Sequence, residues 1–371
     1  MTCCPPKAAP VSEVLTGAVT RESVQNYYGK VLSSSKDLKT SACTASGKPH
    51  PLLQKLIRQV PPAINDTFYG CGAPLPLGIA GKRVLDLGSG SGRDCYVSAA
   101  LVGPHGKVVG VDMTDEQIAI ANAHVDAYTQ QLGYDRPNLS FVKGNIEFLD
   151  EAGLADESFD LVISNCVINL SPDKPRCVQE AYRVLAPGGE MYFSDVYCDR
   201  RLPEDVQKHE VLWGECIAGA LYVEDFRRLA QATGFTDPRV LHAAPIEVND
   251  PELLAVVGEA KFYSITYRLF KLPGLLEDKC EDYGQYAIYK GTIPGQESAY
   301  QLDDHHRIEK NKPFLVCGNT AAMLGEKGMS WLSDHFEIHG DRSVHYGLFD
   351  CGDGVTVTPV AGGSTPGGGC C

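Results

Sequence analysis

The feature that most constrains this chain is the run Val84-Leu85-Asp86-Leu87-Gly88-Ser89-Gly90-Ser91-Gly92. An apolar segment with strand character ends in glycines at alternate positions, and Cys95 to Val102 then follows at helical spacing. A buried strand that must turn sharply into a helix is the opening of an α/β unit, and glycine is the residue that such a turn tolerates. The rhythm continues. Arg83 to Leu87, Val108 to Val111, Leu139 to Val142, Phe159 to Ser164 and Glu190 to Ser194 read as strands, the last entered through the turn Pro187-Gly188-Gly189. Between them Asp115 to Leu132 and Val178 to Leu185 carry helical periodicity. Strands alternating with helices predict a parallel-type sheet covered on both faces.

The glycine spacing narrows the ligand. It is Gly-x-Gly-x-Gly rather than the Gly-x-Gly-x-x-Gly of a dinucleotide binder. No Lys-Ser or Lys-Thr follows, so it is not a phosphate loop. Glycines there let a ligand approach the backbone and its amide donors. With Asp86 just ahead of it, the turn resembles motif I of class I methyltransferases; a ligand-free strand-to-helix turn is the plainer reading. Asp112 ends the next strand, where a carboxylate can accept both hydroxyls of a ribose. Asp115 suits the cap of the following helix better, which leaves Asp112 for that role. After the third strand comes Gly144-Asn145-Ile146-Glu147, at the place where such enzymes hold adenine. Asn145 stands where many of them carry Asp, so the adenine contact is expected at the Ile146 backbone and Glu147.

Length and composition set the frame. With 371 residues, 43% hydrophobic and 22% charged, the chain can bury a core for two modest domains. Residues 1–50 read as an N-terminal arm with a short helix, 51–236 as the ligand-binding domain, 237–340 as a smaller α+β domain, and 341–371 as a flexible Gly/Pro/Cys tail. A net charge of −14 repels nucleic-acid phosphate. No run of 18 apolar residues is present. The N-terminal residues lack the apolar core of a secretory signal, which points to a cytosolic, cytoplasmic setting. Coiled-coil heptads are missing, so a monomer is expected. Fourteen cysteines in such a setting are mostly thiols rather than a disulfide framework, and no Cys-x-x-Cys zinc pattern occurs.

Four of the cysteines stand apart. Cys166 lies at the carboxyl end of the fourth strand in Ile163-Ser164-Asn165-Cys166-Val167-Ile168-Asn169-Leu170, the edge where open α/β sheets bind ligands. Cys216 lies in Trp213-Gly214-Glu215-Cys216-Ile217-Ala218-Gly219-Ala220. Cys71 sits between glycines in Phe68-Tyr69-Gly70-Cys71-Gly72, and Cys43 in a Ser/Thr-rich loop. Each taken singly is equally a small buried hydrophobe. That plainer reading is preferred for Cys95, Cys177, Cys198, Cys280, Cys317 and Cys351, while the pairs Cys3-Cys4 and Cys370-Cys371 read as exposed tail thiols.

From Tyr27 to Lys290 the chain resembles the arsenite S-adenosylmethionine methyltransferases. The resemblance rests on Tyr27-Tyr28-Gly29, Tyr69 to Gly72, Leu85 to Tyr96, Asp112-Met113-Thr114, Ser164 to Leu170, Glu180 to Leu185, Tyr192 to Tyr197 and Gly214 to Ala220. It implies a Rossmann-like class I methyltransferase fold. It implies As(III) held by Cys71, Cys166 and Cys216, with Cys43 as a fourth thiol pairing with Cys71 during turnover. It places Tyr69, Gly88, Ser89, Gly90, Asp112, Met113, Ile146, Glu147 and Asn165 around S-adenosylmethionine. It further implies stepwise conversion of arsenite and methylarsenite to methylated products, a detoxification, with glutathione or thioredoxin as thiol reductant. The chemistry agrees: soft As(III) takes thiolates, its lone pair is the nucleophile, and no general base is needed. Two other readings stay open on the residues alone. One is a class I C-methyltransferase of a quinone or sterol; the other is a non-enzymatic thiol protein that sequesters arsenic or metal.

Overall fold

The computed structural model describes residues 48–68, 70 and 72–352. Cys43, Tyr69, Cys71, the N-terminal arm up to residue 47 and the segment after residue 352 lie outside the described residues. The strands are β1 (Arg83–Leu87), β2 (Lys107–Asp112), β3 (Leu139–Lys143), β4 (Phe159–Asn165), β5 (Leu185–Cys198), β6 (Leu221–Tyr222), β7 (Arg239–Ile246) and β8 (Phe262–Phe270). They form one sheet in the order β3-β2-β1-β4-β5-β8-β7, with β6 beside the end of β5. Strands β1 to β6 pair in parallel. Strand β8 runs antiparallel to both β5 and β7. The result is a mixed, mostly parallel, Rossmann-like α/β sheet.

Period-two alternation shows why the sheet is buried on both sides. Val84, Val108, Leu161 and Tyr192 enter one core with helix Arg93–Val102. Their neighbours Leu85, Val109, Val162 and Phe193 enter the other, with helices Lys174–Val184 and Val223–Thr233. A third apolar cluster, holding Cys166, Val196, Trp213, Cys216 and Ile217, sits past the carboxyl ends of β4 and β5. The long helix expected over 115–132 is two helices, Asp115–Asn122 and Val125–Gln131, separated by a turn in which His124 leaves helical geometry (φ −116°, ψ 1°). Pro187-Gly188-Gly189 is not a turn ahead of a strand but part of β5, whose pairing with β4 shifts register between Phe159 and Leu161.

Lys261 to Leu272, whose alternation reads as a strand of the smaller domain, contains β8 and lies in the main sheet. The remaining strands are β9 (Glu281–Asp282), β10 (Gln285–Tyr289), β11 (Ala299–Gln301), β12 (Arg307–Glu309), β13 (Pro313–Val316), β14 (Phe336–His339) and β15 (Gly347–Leu348). They make a three-stranded sheet, β13-β10-β14, and two small ribbons, β11-β12 and β15-β9. Part of the stretch read as tail is therefore paired: Gly347 with Asp282 and Leu348 with Glu281. No helix among the described residues is long and apolar enough to cross a membrane.

A buried ion pair inside the main sheet is where these later residues attach to it. Glu190 on β5 receives Arg268 on β8 through both oxygens, at 2.6 and 2.9 Å. Trp331 Nε1 donates to the same carboxylate at 2.9 Å, while Arg268 Nη1 donates to Tyr300 Oη and the Leu302 carbonyl. Replacing one member of such a pair strands its partner. Arg268→Met is expected to lower unfolding free energy by about 3–5 kcal/mol, and Glu190→Gln/Arg268→Met by less than the sum of the single changes. Urea unfolding followed by tryptophan fluorescence measures both.

Candidate active site

Strand order reverses between β1 and β4, and in open α/β sheets a crevice opens there beyond the carboxyl ends. A cavity of about 1080 Å³, including its open mouth, occupies that position. Its lining contains Gly88, Ser89, Gly90, Asp112, Met113, Ile146, Glu147, Asn165 and Cys166, residues singled out in the sequence and now brought together.

The glycine turn works differently from the expectation that its amides face a ligand. The N–H groups of Gly88 and Ser89 both donate to the Val111 carbonyl, at 2.8 and 3.0 Å. Gly90 N–H donates to Asp112 Oδ2 at 2.9 Å and Gly92 N–H to the Ser89 carbonyl at 2.9 Å. All four amides are therefore taken by the protein. What the glycines supply is close approach: Gly88 has φ +67°, and a Cβ there would lie 2.3 Å from Val167 Cγ1.

Asp112 ends β2 with one oxygen on Gly90 N–H and the other on Thr114 N–H at 2.8 Å. Burial pushes its carboxyl up, and these amides oppose the shift. Each oxygen can accept a further hydrogen bond and Asp112 lines the cavity, which suits paired hydroxyls. Across the cavity Glu147 is buried and accepts Ser171 Oγ at 2.7 Å. Met113 and Ile146 provide apolar wall. Asn165 ends β4, its Nδ2 donating to Asp94 Oδ2 at 2.8 Å and to the Gly72 carbonyl at 3.0 Å. Three buried lining atoms, Ser89 Oγ, Gln117 Oε1 and Asn165 Oδ1, have no protein partner. Buried polar atoms are nearly always bonded, so these are built to meet a polar ligand.

The charge of the lining is one-sided. Asp86, Asp94, Asp112 and Glu147 contribute carboxyls, and neither Lys nor Arg appears among the described lining residues. Burial, together with Asp94 nearby, holds the Asp86 carboxyl well above its usual range. Such a lining favours a cationic ligand with hydroxyls over a phosphate-bearing one.

The thiols lie at the far end. Cys166 directly follows β4, its N–H donating to the Ser194 carbonyl at 2.8 Å. Its sulfur is in a disulfide, whereas Cys216 is a buried cysteine outside any disulfide. Cys216 Sγ donates to the Cys166 carbonyl at 3.2 Å, so the two residues are held together. Both have positive φ, +57° and +61°, and they are two of five such non-glycine residues among those described. Left-handed backbone at a β-unbranched, non-glycine residue costs energy and is retained where the surroundings fix it, often at functional sites.

Sequence reasoning missed three neighbours. Asp195 is buried, receives Asn169 through N–H and Nδ2, and is pushed up to about 7 by burial. Lys174 is buried, donates to the Ser171 carbonyl, and is pushed down to about 8 by burial, with Asp195, Cys177, Cys216 and Glu147 opposing that shift. Asp195 and Asn169 fall in the runs quoted above, but Lys174, at the start of a helix, reads as an ordinary surface lysine.

Comparison with known proteins fixes the family. Residues 80–234 match the family model described as "Methyltransferase domain". The arsenite methyltransferase of Aquipseudomonas alcaligenes is 56% identical over 335 residues, 90% of this chain and 95% of the relative. This chain belongs to the arsenite methyltransferase family. The mouse arsenite methyltransferase is 45% identical over 305 residues, covering 82% of this chain and 80% of its own. A crystal structure of an arsenic (III) S-adenosylmethionine methyltransferase from Chlamydomonas reinhardtii is 63% identical, with a TM-score of 0.79, and matches 81% of this chain and 100% of that one.

Asp112 couples the glycine turn to the cavity, so Asp112→Asn is expected to weaken S-adenosylmethionine binding about 10- to 100-fold, or ~1.4–2.8 kcal/mol. Calorimetric titration of the methyl donor measures this; an unchanged affinity would remove Asp112 from the donor site.

Proposed function

We propose that this chain methylates trivalent arsenic held on cysteine thiolates, with S-adenosylmethionine as methyl donor. The observation that carries the reading is the juxtaposition of Cys166 and Cys216, both in left-handed backbone, at the end of a cavity lined by carboxyls and unpartnered polar atoms. The donor, when bound, supplies a methyl group on a cationic sulfur. Asp112 takes its ribose hydroxyls, Ile146 and Glu147 its adenine, and Gly88, Ser89, Gly90, Met113, Asn165 and Tyr69 complete the contacts. Cys71, Cys166 and Cys216 ligate arsenite or methylarsenite and leave its lone pair directed at the methyl. The arsenic gains a carbon bond and becomes formally pentavalent; the sulfonium becomes a neutral thioether. No proton leaves the nucleophile, so positioning replaces a general base, and orientation alone is worth up to ~7–11 kcal/mol.

Two electrons must then return the arsenic to its trivalent state. Cys43 and Cys71 supply them by forming a disulfide, and glutathione or thioredoxin resets the pair. The disulfide at Cys166 agrees with this need for a thiol reductant, because its S–S bond must be cleaved by two electrons before the sulfur can serve as a thiolate ligand. Successive rounds give mono-, di- and trimethylated arsenicals, a detoxification carried out by a monomer in the cytosol.

Two tests address this reading. Cys166→Ser and Cys216→Ser, titrated with arsenite under reducing conditions, are expected to lose tight binding and methylation while S-adenosylmethionine affinity holds; unchanged arsenite binding in both would assign the cavity another acceptor. Lys174 is buried close enough to Cys216 for the two charges to interact, and its ammonium would favour the thiolate form. Lys174→Met is expected to weaken arsenite binding at pH 7 by about tenfold, ~1.4 kcal/mol. Since the wild-type ammonium loses its proton as pH rises through about 8, the deficit shrinks toward about pH 9.5. A deficit independent of pH would sink this role for Lys174.

A further inference from the structure

A second group of thiols lies apart from the cavity. The sulfur atoms of Cys280, Cys317 and Cys351 all lie within 4.8 Å of one another, and all three are free thiols. They come from three distant parts of the chain, and the fold brings them together by identifiable means. The β9-β15 ribbon pairs Leu348 with Glu281, and Phe349 N–H extends it to the Cys280 carbonyl at 2.8 Å, which sets Cys351 beside Cys280. Cys317 follows β13 as the N-terminal cap of helix Gly318–Leu324, a buried position whose sulfur accepts Thr320 N–H at 3.4 Å.

The cluster is prepared for negative charge. The Thr320 hydroxyl lies 3.3 Å from Cys317 Sγ and Arg239 Nη2 lies 4.0 Å away. Hydrogen bonds from Cys280 and Cys351, with burial opposing and Arg239 assisting, hold the Cys317 thiol far below the ordinary range. Donating to Cys317 pushes Cys280 up to about 11, and Cys351 is raised by both partners.

We propose that Cys280, Cys317 and Cys351 form a second binding site for trivalent arsenic, separate from the methyl-transfer cavity. Soft trivalent arsenic takes three thiolates in a pyramid and keeps its lone pair as the fourth direction. No His, Asp or Glu joins these three thiols as a fourth ligand among the described residues, whereas structural zinc takes four. The product is neutral, which suits a site that is half-buried. Arsenous acid exchanges its three hydroxyls for three sulfurs without redox change. Each thiol proton leaves with one hydroxyl as water, three waters in all. Occupancy also staples the ribbon ending at Cys351 to the helix that begins at Gly318.

The test uses the full chain, reduced, with Cys216→Ser to impair the methyl-transfer site, and with sodium arsenite as the only probe. After desalting, arsenic per chain is counted by elemental mass spectrometry in this parent and in the parent carrying C351S or C280S. Either added change is expected to lower retained arsenic by about one per chain. Arsenite is also expected to slow chymotryptic cleavage at the exposed Tyr346 and Leu348 in the parent and not in the C351S variant. Equal arsenic in parent and variants overturns the site. Zinc retained in place of arsenic overturns the identity of the ion. Because the comparison is between the parent and its C351S and C280S derivatives, it reads out independently of whether Cys216 ligates arsenic.

Discussion

The Glu190–Arg268 pair is the constraint on which the two halves of the molecule depend. Both side chains are almost fully buried, and both oxygens of the carboxylate are met by the guanidinium fork. Charges so placed are tolerated only when their remaining donors are satisfied, which here falls to Tyr300, Leu302 and Trp331 from the later part of the chain. The pair also locks β8 against β5, the strand whose Ser194 carbonyl receives Cys166 N–H and which carries Asp195 beside the thiols. A contact that looks structural thereby steadies the strand to which Cys166, a lining residue, is hydrogen-bonded.

Around that strand the protein arranges strain and charge in different places. The strain sits at Cys166 and Cys216, whose left-handed backbones aim two adjacent residues out of a strand end and a helix end. The charge sits in the carboxyls of the lining and in Lys174, whose burial costs it part of its proton affinity. Both are expensive for folding, and both occur where the proposed reading brings a soft acceptor and a cationic donor into line.

Much of this was legible in the sequence. The strand ends at Leu87, Asp112 and Asn165 follow from apolar runs closed by glycine or a polar residue, and those ends place the cavity. Strand β8 was visible as a strand but not as a member of the main sheet, because an antiparallel partner across β5 leaves no mark on local periodicity. The Gly88 to Gly92 turn was legible as a turn, yet the destination of its amides depends on the Val111 carbonyl, a contact between strands. Lys174 was illegible for a similar reason: nothing local announces that Trp213, Asp195 and Cys216 close over it. The cluster of Cys280, Cys317 and Cys351 needs the β9-β15 pairing before the three residues become neighbours at all.

Neither lysine nor arginine is among the described residues that line the cavity, which has a consequence for the proposed turnover. Under that reading the donor enters with a positive charge and leaves as a neutral thioether, so the attraction of those carboxyls that are ionised acts on the donor and not on its by-product. The lining would thus favour exchange of spent for fresh donor.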